Sequence, residues 1–87
     1  MKTLTNLFNC YPQTVKDNYY QRAITIQNKL NSGECYQHIG GKRLRLANEL
    51  VRFKLGAYRL IFKRSAQGFI PEKLLQRKNL NTFLKRR

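Results

Sequence analysis

Residues 50–63 read Leu-Val-Arg-Phe-Lys-Leu-Gly-Ala-Tyr-Arg-Leu-Ile-Phe-Lys, two runs in which apolar residues nearly alternate with basic or polar ones. This period of two is typical of strands that have one face on a core. A two-residue connection with Gly at its first position, here Gly56-Ala57, favours a type II′ hairpin turn. The stretch therefore predicts an antiparallel hairpin in which Leu55 lies opposite Tyr58 and Lys54 lies opposite Arg59.

The same register divides the hairpin into two faces. The expected core face carries Val51, Phe53, Leu55, Tyr58, Leu60 and Phe62. The opposite face carries Arg52, Lys54, Arg59, Ile61 and Lys63. Like charges directly opposite one another destabilise a sheet, and no acid in the hairpin offsets Lys54 and Arg59. Two interpretations stay open, a solvated strand face that is basic or a site for anions, with phosphates as the favoured ligand.

The net charge of +14 over 87 residues is concentrated in the second half of the chain. Residues 42–87 hold fourteen basic residues against only Glu49 and Glu72. The length predicts a single domain over residues 1–87. The charge points to nucleic acid, an anionic membrane surface or an acidic protein partner. No basic amphipathic helix stands out, so nucleic acid is favoured over a membrane.

Cys10, Cys35 and His38 have no spacing that is typical of a metal site, so the sequence predicts neither a metal ion nor another cofactor. Residues 1–12 contain no apolar run of signal-peptide length, and no stretch is long and apolar enough to span a membrane. We therefore expect a cytoplasmic protein with reduced thiols.

Elsewhere the pattern predicts one main helix that begins at Tyr11-Pro12 and ends at Asn31-Ser32-Gly33. Its apolar stripe consists of Val15, Tyr19, Ala23, Ile26 and Leu30. Residues 1–10 are interpreted as a short strand or an irregular lead-in, and residues 34–41 as a loop.

The basic half around the hairpin predicts further strands. Lys42 to Leu46 is expected to be a short strand with Leu44 and Leu46 inward and Arg43 and Arg45 outward, and residues 47–49 to interrupt the pattern. A turn is expected at residues 64–68, then a strand over residues 69–76 in which Pro71 requires an edge or a bulge. Residues 77–87 are expected to form a short helix or a docked tail. The resulting fold class is α+β, with one or two N-terminal helices packed on a three- to four-stranded antiparallel sheet.

This order of elements resembles the RelE/ParE superfamily of bacterial toxins, and residues 51–62 are similar to its core pattern x-R-x-x-x-G-x-Y-R-x-x-x. The resemblance covers residues 11–84. It implies a small toxin of a type II toxin–antitoxin system that is held inactive by a cognate antitoxin. In the RelE-like branch such a toxin enters the ribosomal A site and cuts mRNA with basic residues on its strands. The first hypothesis that the resemblance implies is therefore a ribosome-directed toxin that cleaves mRNA or inhibits translation. On that basis the candidate catalytic residues are Arg52, Lys54, Arg59 and Arg77.

Cleavage of RNA at its 2′-hydroxyl requires stabilisation of a negatively charged transition state, which a cluster of Arg and Lys can supply. On the hypothesis that neighbouring positive charge favours its neutral amine, Lys54 is the candidate base. The remaining basic residues that we expect to bind nucleic acid are Lys42, Arg43, Arg45, Lys63 and Lys78. An acidic antitoxin segment is expected to cover Arg52, Lys54 and Arg59.

Two departures from the RelE-like pattern keep alternatives open. Phe83 or Leu84 stands where a catalytic Tyr or His would be expected, and one main helix stands where the superfamily often has a helix hairpin. A ParE-like inhibitor of DNA gyrase is therefore the second hypothesis. A basic RNA- or DNA-binding module without catalytic activity is the third.

Overall fold

Helices pack on both faces of a four-stranded antiparallel sheet in the computed structural model, which describes residues 3–45 and 47–85. The elements are α1 (Leu4–Phe8), α2 (Gln13–Asn31), β1 (Lys42–Leu44), β2 (Ala47–Leu55), β3 (Tyr58–Ser65), β4 (Gly68–Gln76) and α3 (Leu80–Lys85), with 3₁₀ turns at Tyr36–Ile39 and Arg77–Asn79. The strand order is β1-β2-β3-β4. The predicted α+β fold class is confirmed.

The central hairpin has the predicted register. Leu55 pairs with Tyr58 and Lys54 pairs with Arg59, and the pairing continues along both strands. Gly56 has a φ of 59°, and none of the non-Gly residues that the structure describes has a positive φ. A type I′ turn requires positive φ at both central residues, so the negative φ of Ala57 fits the type II′ turn.

Helix α2 carries the predicted apolar stripe on the sheet. Val15, Ala23 and Leu30 are buried, and Tyr19 and Ile26 pack against the same core. The helix ends in a glycine cap, because Gly33 has a φ of 92° and its N–H donates to the carbonyl of Leu30. A second bond from the Glu34 N–H to the Lys29 carbonyl completes the cap.

The expectation of a strand or irregular lead-in over residues 1–10 was wrong for the part that the structure describes. Residues Leu4–Phe8 form α1, whose N-terminus is capped by the Thr3 hydroxyl, which accepts from the Asn6 N–H at 3.1 Å. Leu4, Leu7 and Phe8 follow a helical spacing and are buried under α2. This burial, rather than helix propensity, holds so short a helix.

The strand before the hairpin differs from the expectation in its bounds. Arg43 and Arg45 are exposed and Leu44 is buried, as predicted, whereas Leu46 lies outside the described residues. Strand β2 already begins at the buried Ala47, yet its alternation is interrupted at residues 47–49 as predicted, because Ala47 and Leu50, three residues apart, belong to the same apolar cluster. A register shift between Arg43 and Leu44 lets the chain turn into β2 within a few residues.

Strand β4 is an edge strand with a bulge at the predicted proline. Phe62 pairs with Pro71 while Ile61 pairs with Lys73, so one extra residue lies on β4 between these pairs. The turn before β4 is shorter than expected, because Arg64 still belongs to β3 and pairs with Phe69.

Two apolar clusters hold the sheet from opposite sides. The expected core face packs against α1 and α2, and its hairpin residues Val51, Phe53, Leu55, Leu60 and Phe62 are all buried. The opposite face carries apolar as well as basic residues, and Ile61, which the register places there, is buried. It carries a second cluster covered by α3, which consists of Leu44, Ala47, Leu50, Ile61 and Leu75, with Leu80, Phe83 and Leu84 packed against it.

Tyr11, between α1 and α2, connects these helices to the edge strand β4. Its hydroxyl donates to the Leu74 carbonyl, and its ring packs edge-on against Tyr58 with 5.4 Å between centroids. Burial raises the pKa of Tyr11 above its usual value, and the neighbouring Tyr58 and Cys10 add to the effect. The folded state therefore holds this proton more tightly than the unfolded chain does.

Tyr11→Phe is expected to lower the free energy of unfolding at neutral pH by about 1 kcal/mol through loss of this bond. Because the folded pKa is raised, the contribution of Tyr11 is complete below its unfolded pKa of about 10 and is lost as the pH rises through the folded value. Urea titrations from neutral pH upward should therefore show a steeper alkaline loss of stability in wild type than in Tyr11→Phe. Parallel curves would contradict this assignment.

Candidate functional site

Four basic side chains meet in one open cleft on the α3 side of the sheet. The cleft, called the cation cleft below, has a volume of about 280 Å³ and is lined by Arg52, Lys54, Arg59, Arg77, Leu80 and Asn81. The structure thus brings together all four residues that the sequence marked as candidate catalytic residues. No carboxylate is among these lining residues. An anion would find only positive or neutral groups there.

The register of β2 and β3 places three of these basic residues together, and the end of β4 brings the fourth beside them. Arg52 and Lys54 alternate on β2, and Arg59 lies opposite Lys54 on β3. Strand β4 runs beside β3 to its end, where Gln76 pairs with Tyr58. The next residue, Arg77, donates its backbone N–H to the Ala57 carbonyl at 2.8 Å, which places it beside the hairpin turn.

Arg59 is buried, with 8% of its surface exposed, although the sequence pattern alone places it on a basic strand face. Its Nη1 donates to the carbonyls of Gly56 and Tyr58, both at 2.8 Å. These two bonds hold the guanidinium against the hairpin turn. The three other N–H groups of a guanidinium are not used in these two bonds.

The cluster is electrostatically unfavourable without an anion. Burial lowers the pKa of Arg59 from its usual value, and the charges of Arg52 and then Arg77 lower it further. An arginine nevertheless keeps its proton at every physiological pH. Proton loss therefore does not relieve the repulsion, whereas a bound anion would, and bidentate contact with a phosphate suits the guanidinium geometry.

The hairpin turn that holds Arg59 is supported from behind by α2. A Cβ added at Gly56 would lie 2.9 Å from Cζ of Tyr19, so the turn backbone and this ring are in close contact. Arg22, one helical turn further along α2, donates from Nη2 to the Lys54 carbonyl at 3.4 Å. Helix α2 therefore contacts both the hairpin turn and the end of β2 that carries Lys54.

Helix α3 carries apolar side chains at the positions where the family resemblance implies a catalytic Tyr or His. Phe83 and Leu84 pack on the second apolar cluster. Neither is a group that transfers protons. Among the residues that line the cation cleft, Lys54 is the one whose neutral form can act as a base.

The other predicted nucleic-acid-binding residues fall into three places. Lys42, Arg43 and Arg45 line a neighbouring cleft of about 450 Å³ that shares Arg52, Leu80 and Asn81 with the cation cleft. Lys78 lines a pocket of about 680 Å³ beside the hairpin turn, called the turn pocket below. Lys63 is exposed toward the other end of β3, opposite Leu50 and Ile70, and lines none of these cavities.

Sequence reasoning missed Gln76 and Asn81. Asn81 lines the cation cleft, the neighbouring cleft and the turn pocket, and Gln76 lines the turn pocket. A neutral amide after the last strand has no charge or periodicity that would mark it in the sequence. Their place follows from the bond between Arg77 and Ala57, which folds this segment back onto the hairpin.

Within residues 3–45 and 47–85, no group of three or more His, Cys, Asp or Glu side chains is placed to hold a metal ion. Cys10 and Cys35 are exposed free thiols. None of the helices in these same residues is long and apolar enough to cross a membrane.

Comparison with known protein families gives one match. The model of the ParE-like toxin domain matches residues 17–82, which include the hairpin, all four cations of the cleft and Asn81. Comparisons with curated proteins and with solved structures gave no significant match.

Proposed function

Since the chain belongs to the ParE-like toxin domain family, and so to the RelE/ParE toxins that its sequence resembles, we propose that it is a ribosome-directed toxin that binds and cleaves mRNA. The observation that carries this proposal is the cation cleft, in which Arg52, Lys54, Arg59 and Arg77 converge without a carboxylate. A cleft of this charge fits the phosphate backbone of RNA.

The preorganisation of Arg59 supports catalysis as well as binding. Its guanidinium is fixed by two bonds to the hairpin turn, so it can stabilise developing negative charge without first reorganising. Attack of a 2′-hydroxyl on the adjacent phosphate forms a 2′,3′-cyclic phosphate and breaks the bond from phosphorus to the 5′-oxygen of the next nucleotide. The negative charge develops on the phosphate oxygens and on that leaving oxygen, which takes up a proton from water. Arg52 and Arg77, whose charges act on Arg59, complete the positive field around them.

The proton transfer in this proposal rests on Lys54. Lys54→Arg keeps the positive charge but removes a side chain that can act as a base. We expect this variant to bind RNA with wild-type affinity and to cleave about 10²-fold more slowly or worse. Fluorescence anisotropy with a short RNA and single-turnover cleavage on programmed ribosomes measure the two quantities separately. Cleavage at the wild-type rate would remove Lys54 from this role.

Inhibition of DNA gyrase is the second candidate, and two observations favour it. The matching family is described as ParE-like, and the cleft lining contains no Tyr, His or carboxylate for proton transfer. In that case the cation cleft would serve to bind an anionic surface, and RNA would stay intact.

Two assays with the same purified chain separate these candidates. A cell-free translation reaction that starts from ready-made mRNA contains no replication step, so its inhibition supports the ribosome-directed function. A supercoiling reaction with purified gyrase tests the alternative. We expect inhibition of translation and unchanged supercoiling; the reverse pair of results would replace the first proposal by the second.

A toxin of this family implies an antitoxin as its partner. We propose that an acidic antitoxin segment covers Arg52, Lys54 and Arg59, as the sequence predicts. The net charge of +14 supports a partner of opposite sign, which would also speed association.

A further inference from the structure

The turn pocket and the cation cleft form one continuous surface. They share Arg59, Arg77 and Asn81, so a ligand that touches these residues from the cleft reaches the pocket directly. The turn pocket is the larger of the two, at about 680 Å³ against 280 Å³. A phosphate in the cleft leaves this second volume open to the group attached to it.

The additional lining of the turn pocket is aromatic and polar. Tyr58 is one of the lining residues, and its ring packs edge-on against Tyr11 and tilted against Tyr19, with 5.7 Å between the Tyr19 and Tyr58 centroids. An aromatic surface fixed in this way is suited to contact with a nucleobase. Gln76 and Asn81 add two amides, each of which has donor and acceptor groups.

The polar groups of the pocket are those that recognise purines. An Asn or Gln amide pairs with N6 and N7 of adenine, and Arg or Lys pairs with O6 and N7 of guanine. Gln76, Asn81, Arg77 and Lys78 supply both kinds of group. Pyrimidines lack the N7 acceptor that is common to these pairings.

We infer that the turn pocket is a base subsite that takes a purine of the RNA whose phosphate lies in the cation cleft, with Asn81 and Gln76 as specificity-determining residues. This inference rests on the proposed function, because it takes RNA as the ligand.

The test compares two single-stranded probes of equal length, fluorescein-labelled oligoadenylate and oligouridylate, by anisotropy titration of the full chain. We expect oligoadenylate to bind about 5-fold more tightly or better, the smallest discrimination usual for one such pair. The salt dependence should be equal for both probes, because they present the same phosphates.

Asn81→Ala and Gln76→Ala should each reduce this preference and leave the salt dependence unchanged. Asn79→Ala is the matched control, because Asn79 is exposed in the preceding 3₁₀ turn and lines neither cavity. A preference that persists in both pocket variants would reflect base stacking alone and would overturn the inference.

The outcomes also separate this inference from the proposed function. Equal affinities for the two probes in wild type would overturn the purine subsite, while binding of both probes would still support an RNA-directed cleft. Failure of the chain to bind either probe even at low salt would contradict both proposals.

Discussion

Arg59→Ala is expected to raise the protein concentration needed to halve translation by about 10²-fold or more, the usual effect of losing one preorganised donor to a developing negative charge. The physical reason is the fixed position of Arg59, a lining residue of the cation cleft whose Nη1 donates to the carbonyls of Gly56 and Tyr58. The measurement is a dose series in cell-free translation from ready-made mRNA.

Loss of the two bonds to the turn also affects the hairpin, so the fold of Arg59→Ala must be checked by circular dichroism. The matched control is Lys73→Ala. Lys73 is an exposed cation that pairs with Ile61, on the same face of the sheet as Arg59, but it lines none of the clefts described above. A folded Arg59→Ala that inhibits like wild type would contradict the role of Arg59.

Gly56→Ala is expected to lower the free energy of unfolding by about 2–4 kcal/mol, from a left-handed φ and from crowding added together. The φ of 59° strains any side chain, and the new methyl group would press on the Tyr19 ring. Because the same turn carries Arg59, translation inhibition should weaken too. Urea unfolding at neutral pH gives the stability change.

Two further variants separate the strain from the crowding. Gly40 has a φ of 94° with nothing within 4 Å of a built Cβ, so Gly40→Ala should cost only the strain, about 1–2 kcal/mol. Tyr19→Ala combined with Gly56→Ala should remove the crowding, so the pair should be less destabilising than the sum of the single changes. Equal losses for Gly56→Ala and Gly40→Ala would show that contact with Tyr19 is unimportant.

Local rules were sufficient for the hairpin and for α2. Alternation along two strands and the chemistry of Gly56-Ala57 fix which residues face each other, so the register of Lys54 and Arg59 is readable from neighbouring residues. In α2, an apolar stripe that runs along a helix of 19 residues predicts which side of the helix packs on the sheet. In α1, by contrast, five residues are too few to show a helical period in the sequence. The helix is instead stabilised by burial of Phe8 against other elements.

The site follows the same division. Arg52, Lys54 and Arg59 come together by register, whereas Arg77 was indicated only by the family resemblance. The burial of Arg59 and the second apolar cluster depend on the return of residues 77–84 to the sheet, which no local spacing encodes. Asn81 lines the cleft because residues 77–84 fold back onto the sheet. Its side chain is uncharged, so the charge pattern of the sequence does not indicate it.

The central claim, that the cation cleft cleaves mRNA on the ribosome, is tested most directly by mapping 5′ ends. Purified protein is added to ribosomes programmed with a defined mRNA, and primer extension locates any new ends. We predict new ends within the A-site codon that are absent with Arg59→Ala and present with Lys73→Ala. Intact mRNA with continuing translation would contradict the claim.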